Sequence, residues 1–457
     1  MNPAESKLYR RLLHATLFIA ATVFYWGLGD IALMSYNEAR RAIPISTMFT
    51  TGDWLLPRLN GELYLAKPPL LYWLGTASAH LFGSPNEWAV RLPSALAATS
   101  VVVVAYRYAL RQFGAWPALF TAQLLIANTS FTMFARRAEI EMLLTALCFF
   151  ALLAALNFTR GNGERKWLWL SYFLLGAAVL AKGPLALLFV TIPLLIDALC
   201  HCQPRQWQAL RDPIGWGIFF IVGASWYAAV TWQMGFDIWQ ATIQKDILNK
   251  VHGSAGEPVF SYLLWLATDF FPASLLLFVA PLATWRRWKN QRDSMALLLA
   301  VLTPLLIFTV FSDKHAKYLL PTYPLISILL GKRLGELYAA AGPVLRRSLL
   351  VAGILLPVGY AAFYAAAEAR VFEYRYSAFP EFTHWISSVN GIPIYGYHDL
   401  DERLVYYARR DIPMLDQASL QTLHSAKTPL FLLVEGSRIA EIAPQADCLV
   451  QKFEPYL

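Results

Sequence analysis

Apolar residues in this chain gather into long, nearly charge-free stretches separated by polar loops. Stretches close to the roughly 20 residues that a helix needs to cross a bilayer core fall at about 12–33, 89–110, 116–134, 140–158, 167–181, 184–200, 214–232, 260–284, 295–312, 318–338 and 347–366. The pattern predicts an all-α polytopic membrane protein with about eleven transmembrane helices. The first stretch follows basic residues, lacks a small-residue cleavage site and runs into a charged loop, so it reads as an anchor. The segment Lys67-Pro68-Pro69 to Phe82 is too short after its prolines to cross and reads as an interfacial or re-entrant helix on the outer face.

The distribution of Lys and Arg supports that choice. With 67–82 kept out of the spans, Lys7, Arg10, Arg11, Arg107, Arg111, Arg160, Arg286, Arg287, Lys332 and Arg333 share one side, the inner one. Counting the segment as a span reverses most of the bias. The N-terminus is then inside, a long first loop at about 34–88 is outside, and so is the tail. In that tail, Pro393-Ile394-Tyr395-Gly396-Tyr397, Leu404-Val405-Tyr406-Tyr407 and Pro429-Leu430-Phe431-Leu432-Leu433-Val434 are short apolar runs between polar turns. They predict strands of a small α/β domain. Two domains follow, 1–369 with the 34–88 loop and 370–457. No repeat or low-complexity segment interrupts them.

Composition excludes a soluble fold. Apolar types make up 57% and charged residues 15%, against roughly 25% charged in soluble chains. The net charge of +8 accords with orientation and lipid headgroups rather than nucleic acid. Cys148, Cys200, Cys202 and Cys448 form no disulfide framework, and Cys200-His201-Cys202 lacks a second ligand pair for a metal. Gly-rich phosphate loops are absent, which argues against a nucleotide donor.

Inner cations are explained by orientation; outer ones are not. On the outer side stand Arg40, Arg41, Arg58, Lys67, Arg91, Arg136, Arg137, Lys182, Lys245, Lys250, Lys314 and Lys317, interspersed with Glu38, Asp53, Glu62, Glu87, Glu139, Glu141, Asp246, Glu257, Asp269 and Asp313. A cavity for an anionic group fits this mixture, with cations for a phosphate and a carboxylate as general base. A membrane enzyme working there takes its activated group from a lipid carrier, whose phosphate lies at headgroup level.

Tyr36-Asn37-Glu38-Ala39-Arg40, Gly52-Asp53-Trp54-Leu55-Leu56-Pro57 and Asn60-Gly61-Glu62-Leu63-Tyr64-Leu65-Ala66-Lys67-Pro68-Pro69 resemble the first outer loop of bacterial GT-C glycosyltransferases. These belong to the protein mannosyltransferase superfamily, which includes the aminoarabinose transferases. Asn86-Glu87-Trp88, Glu141-Met142-Leu143-Leu144-Thr145, Leu180-Ala181-Lys182-Gly183-Pro184, Ser225-Trp226-Tyr227 and Lys314-His315-Ala316-Lys317-Tyr318-Leu319-Leu320-Pro321 continue the match in order. The resemblance implies a GT-C transmembrane catalytic domain in a bacterial inner membrane, with its site facing the periplasm. It implies an undecaprenyl-phosphate-linked sugar as donor and inverting transfer to a lipid or glycan acceptor such as lipid A. Lys67 would hold the carrier phosphate, helped by Arg40, with Tyr318 beside it; Arg58, Lys317, His315 and Lys250 complete the phosphate-binding candidates. The catalytic candidates are Glu38, Glu141 and the neighbouring Asn37. The family usually carries Asp where this chain has Asn37, and asparagine accepts no proton at neutral pH, so a base role falls to Glu38 or Glu141. The family has an outer-loop Arg before the eighth helix, for which this chain offers only Lys245 and Lys250.

Each candidate has a structural alternative. Lys67 can snorkel to headgroups, Glu38 can pair with Arg41, and Glu141 can balance a helix dipole. Lys182 can cap a helix, Glu139 can pair with Arg136 or Arg137, and Arg91 with Glu87. No cofactor or metal ligand set is demanded, although outer carboxylates leave a divalent metal open. The membrane is the expected partner, and neither nucleic acid nor a protein partner is implied. The rival functions are a flippase or transporter for the same lipid, and an oligosaccharide ligase.

Overall fold

The computed structural model describes residues 2–160, 163–201, 204–240, 257–276, 291–311, 314–368, 371, 378–389, 391–425 and 430–442. These divide into two compact units. The first comprises residues 1–28, 65–71 and 91–366 and is helical. Helices overlie every apolar stretch named above, in whole or in part. Among the described residues four are both long and apolar enough to cross a membrane: Glu87–Phe113, Ile140–Arg160, Arg292–Val310 and Pro343–Ala367. Two bent pairs meet the same test jointly, Ala115–Ile126 with Thr129–Ala135 at 67° and Pro204–Gly223 with Ser225–Met234 at 47°.

The first bend has a local cause. Asn128 leaves the helix and its side-chain oxygen accepts from the Phe131 N–H at 2.8 Å, which starts a new helix in another direction. The stretch expected as one helix from 318 is also divided. A 3-10 turn, Ala316–Thr322, precedes the Tyr323–Ala340 helix, because Pro321 and Pro324 remove two backbone donors. The core joins the facing sides of these helices through Phe131, Phe149, Leu152, Val190, Leu297 and Leu329.

Residues 29–64, 72–90 and those from 367 onward form the second unit. The 67–82 segment contains a 13-residue helix, Leu70–Phe82, shorter than a span. Strands Ile394–Tyr397, Met414–Leu415 and Phe431–Leu433 make a parallel sheet, with the first of them central. The expected strand at 404–407 is instead the helix Glu402–Ala408. Asp401 caps its start by accepting from the Arg403 N–H at 2.9 Å, and Arg409 ends it in the left-handed region. Ile43, Phe382, Ile386, Ile394, Val405 and Ile412 share one core. Residues 29–64 and 72–90 therefore share a unit with the tail, while 65–71 belong to the helical unit. Asn60 fixes the pairing by exchanging two 2.7 Å hydrogen bonds with the Ile412 backbone.

Candidate functional site

The site candidates fall into two groups, one in each unit. In the helical unit, Glu141 opens the Ile140–Arg160 helix and Lys182 closes Arg165–Lys182, where Gly183 turns the chain at φ 82°. These two helices pack side by side, so their ends meet. The Lys182 ammonium donates to Glu141 Oε1 at 3.0 Å, and Lys317 Nζ lies 3.9 Å from the same oxygen. The pair is largely withdrawn from solvent, with side-chain exposures of 12% and 8%. Lys182 also stands 5.5 Å from the centre of the Tyr318 ring, which the His315 ring meets edge-on at 5.2 Å.

Two ammonium groups about one carboxylate leave an excess positive charge in a half-dry setting, where its field is strong. Lys67 is carried to the same end of the unit. Leu71 is buried against Ile140, Leu143 and Ala181, the immediate surroundings of Glu141 and Lys182. Four residues of chain reach at most about 14 Å, which confines Lys67 to that radius of Leu71. What this arrangement can do is receive an anion beside an aromatic ring.

The second unit treats its candidates differently. Ser35 accepts from the Glu38 N–H at 3.2 Å, and the Glu38 carboxylate accepts from the Met34 N–H at 2.7 Å. That is a capping arrangement at the start of Tyr36–Thr51, and Glu38 is completely buried. Asn37, next to it, is half-buried. Arg40 pairs with Glu402 at 2.7 Å, and Arg58 donates to the Gly61 carbonyl at 3.3 Å. Buried Arg41 donates to the hydroxyls of Tyr64 at 3.1 Å and Tyr72 at 3.4 Å. Burial pushes the Tyr72 phenol up, and the Arg41 guanidinium opposes that shift.

Lys250, with Lys245, lies outside the described residues. Glu139 stands 3.9 Å from Arg137. Arg91 donates to the Leu28 carbonyl at 2.8 Å, while Glu87 accepts from the Tyr407 hydroxyl at 2.7 Å. Among the described residues no three of His, Cys, Asp and Glu converge as a metal site. Sequence reasoning left Lys182 outside the phosphate group; its signal was the turn Lys182-Gly183-Pro184, which puts a cation at a helix end.

Known proteins share this architecture. ArnT from Cupriavidus metallidurans, in a structure bound to undecaprenyl phosphate, superposes with a TM-score of 0.81 over 94% of both chains at 19% identity. The fold is GT-C. The oligosaccharyltransferase of Archaeoglobus fulgidus is a more distant example, with TM-score 0.59 and 13% identity over 89% of this chain and 62% of that one. In sequence, residues 66–232 match the dolichyl-phosphate-mannose-protein mannosyltransferase family.

The undecaprenyl phosphate-alpha-4-amino-4-deoxy-L-arabinose arabinosyl transferase of Pseudomonas aeruginosa is 28% identical over 71% of this chain and 60% of its own length. That of Sodalis glossinidius is 31% identical over 64% and 53%. An uncharacterised protein of Aquifex aeolicus is 26% identical over 67% and 60%. The match thus spans little more than half the length of several of these relatives. Within the GT-C fold of this chain, the Glu141, Lys182 and Lys317 cluster falls at the outer helix ends that the sequence assigns.

Proposed function

We propose that the protein is an inner-membrane, multi-pass glycosyltransferase with its active site facing the periplasm. It takes a sugar from an undecaprenyl-phosphate-linked donor and passes it, with inversion, to an acceptor such as lipid A or another envelope glycan. One observation carries the reading: a cationic cluster around Glu141, beside the segment that bears Lys67, in a fold shared with a protein described as bound to undecaprenyl phosphate. In this reading residues 1–369 form the GT-C catalytic domain and 370–457 a periplasmic α/β domain.

The donor phosphate lies against Lys67, Lys182 and Lys317, with Tyr318 and His315 beside it. An acceptor oxygen attacks the anomeric carbon from the face opposite the phosphate. The carbon–oxygen bond to phosphate breaks, its electron pair stays on the phosphate, and the growing charge is met by fixed ammonium groups. Single displacement inverts the anomeric centre. Glu141 holds the lysines in place and is the carboxylate to which an acceptor hydroxyl gives its proton. An acceptor that is already an ionised phosphate needs no base, which suits a chain with Asn37 at the family's acidic position. Arg40 and Arg58 serve in supporting roles, since each is engaged within its own unit.

The test is transfer by the purified protein from undecaprenyl-phosphate-linked aminoarabinose to lipid A, read as a mass shift. One sugar added per acceptor supports the reading, and Lys67→Ala should abolish it while the melting temperature holds. Transfer of a whole oligosaccharide, movement of the lipid across vesicles without chemistry, or near-normal turnover by Lys67→Ala would each sink it.

A further inference from the structure

At the end of the helical unit opposite the Glu141 cluster, basic and aromatic side chains gather on one edge. We propose that this patch, formed by Arg165, Lys166, Arg205 and Arg211, binds the headgroup of an anionic phospholipid of the inner leaflet. The inference uses the orientation given by the bias of Lys and Arg and goes beyond the sugar-transfer reading. Arg165 opens and Lys182 closes a single 18-residue helix, so about 25 Å separates the patch from that cluster. A donor phosphate held at one end does not occupy the other.

The patch is assembled by packing. The helix Arg165–Lys182 lies against Pro213–Gly223, so closely that a Cβ on Gly176 would stand 3.0 Å from the Phe219 carbonyl. The Trp169 indole donates to Asp212 Oδ2 at 3.2 Å, and the Tyr172 hydroxyl donates to the Ala209 carbonyl at 2.6 Å. These bonds hold the start of the first helix beside Pro204–Arg211, the short helix that precedes the second. Gly163, turning at φ 74°, passes alongside Arg205; a Cβ there would stand 3.2 Å from the guanidinium carbon. Arg165, Lys166, Arg205 and Arg211 are all exposed.

Two acids lie among these cations and leave them in excess. Glu164 pairs with Lys166. Asp212 caps its helix by accepting from the Gly215 N–H at 2.7 Å. Arg211 lies over the Trp207 ring at 4.9 Å, and the Lys166 ammonium is 5.9 Å from the Trp167 ring centre. Cations seated on indole rings belong at headgroup depth, where one side of the ring is apolar and the other wet. Further along both helices the surface turns apolar. Lys166, Leu170 and Phe173 recur at helical spacing on one face, and Leu170, Phe173, Ile214 and Phe220 are exposed. The complementary ligand is an amphiphile, with a phosphate for the cations and acyl chains for the apolar wall beyond them. A free anion or an acidic peptide would use the cations and leave that wall bare. Basic clusters at the cytoplasmic ends of transmembrane helices attract anionic lipid for this reason.

The experiment is native mass spectrometry of the full-length protein in detergent, with phosphatidylglycerol and phosphatidylcholine of equal chain length as probes. Phosphatidylglycerol should bind at least about tenfold more tightly. Arg165→Gln with Lys166→Gln, and separately Arg211→Gln, should each lower that preference by about fivefold per cation removed, with the melting temperature unchanged. The two variants alter different helices, so either one carries the test if the other folds poorly. Arg333→Gln, which removes an inner-side cation paired with Glu336 and outside the patch, should leave the preference as it was. Equal binding of the two lipids, indifference to the patch substitutions, an equal loss from Arg333→Gln, or displacement of the lipid by inorganic phosphate alone would overturn the assignment. No sugar donor is present, so the result stands whether or not the transfer reaction does.

Discussion

At the scale of single residues, the two acidic candidates have different environments. Glu38 is tied into the start of its own helix, whereas Glu141 is tied to two lysines from other elements. A capping glutamate can be replaced by glutamine without losing its hydrogen bond; a general base cannot. Glu38→Gln should therefore retain most of the transfer rate and the melting temperature, and Glu38→Ala should cost about 1 kcal/mol of stability. If Glu38→Gln is inactive but fully stable, the capping account fails and the proton acceptor is Glu38. The pattern Ser35-x-x-Glu38 announces the cap in the sequence, yet an acid within a family motif reads first as chemistry. Lys182 poses the opposite case. Lys182→Ala should reduce kcat/KM for the lipid-linked donor by roughly 30-fold or more, with Lys182→Arg restoring part of it, as steady-state kinetics would show. An unchanged value would remove the phosphate from that end of the unit.

Between elements, small residues decide which helices can approach. Gly331 and Gly335, one turn apart on Tyr323–Ala340, face the Ala115–Ile126 helix. A Cβ on Gly331 would lie 2.2 Å from Thr121 Oγ1 and 2.8 Å from the Pro117 carbonyl, and one on Gly335 would lie 2.4 Å from the Pro117 ring. The pair is a Gly-x-x-x-Gly contact of the kind that lets membrane helices pack backbone to backbone. Gly331→Leu cannot be absorbed by a rotamer change, because backbone is in the way. It should destabilise by about 1–3 kcal/mol or more and reduce the folded yield in detergent, measured by size exclusion and melting. Wild-type melting would show that the helices can separate at that point. The Glu402–Ala408 helix shows the converse limit of element-level reading. Leu404-Val405-Tyr406-Tyr407 has strand-forming residues, but Asp401 starts a helix and the core takes Val405 from one face of it.

For the whole molecule, the tail and the first loop behave as one unit. Arg40 reaches Glu402 across more than 360 positions of sequence, and Tyr407 reaches Glu87. Deleting residues 370–457 should expose the core around Ile43 and make the 29–64 loop sensitive to limited proteolysis, while the transmembrane helices survive. Protection equal to wild type would argue that the loop folds without the tail. The Arg40–Glu402 ion pair is a finer probe. Because Arg40 is partly exposed, its loss should cost only about 0.5 kcal/mol, and the double exchange Arg40→Glu with Glu402→Arg should recover it in a thermal melt.

The sequence by itself determined the membrane class, the helix-rich architecture, the non-spanning 67–82 segment and the residues that carry the GT-C likeness. The first three follow from composition, since runs of apolar residues exclude water wherever they lie and a charge beside them marks an end; the likeness rests on similarity to the family's motifs. Tertiary structure alone decided which end meets which. Glu141, Lys182 and Lys317 come from three separate elements and become one cluster only because two helices pack and a 3-10 turn returns to them. The same holds for the basic patch of Arg165, Lys166, Arg205 and Arg211. Convergence of distant side chains is a property of packing, which depends on shape in three dimensions and leaves no period or motif along the chain.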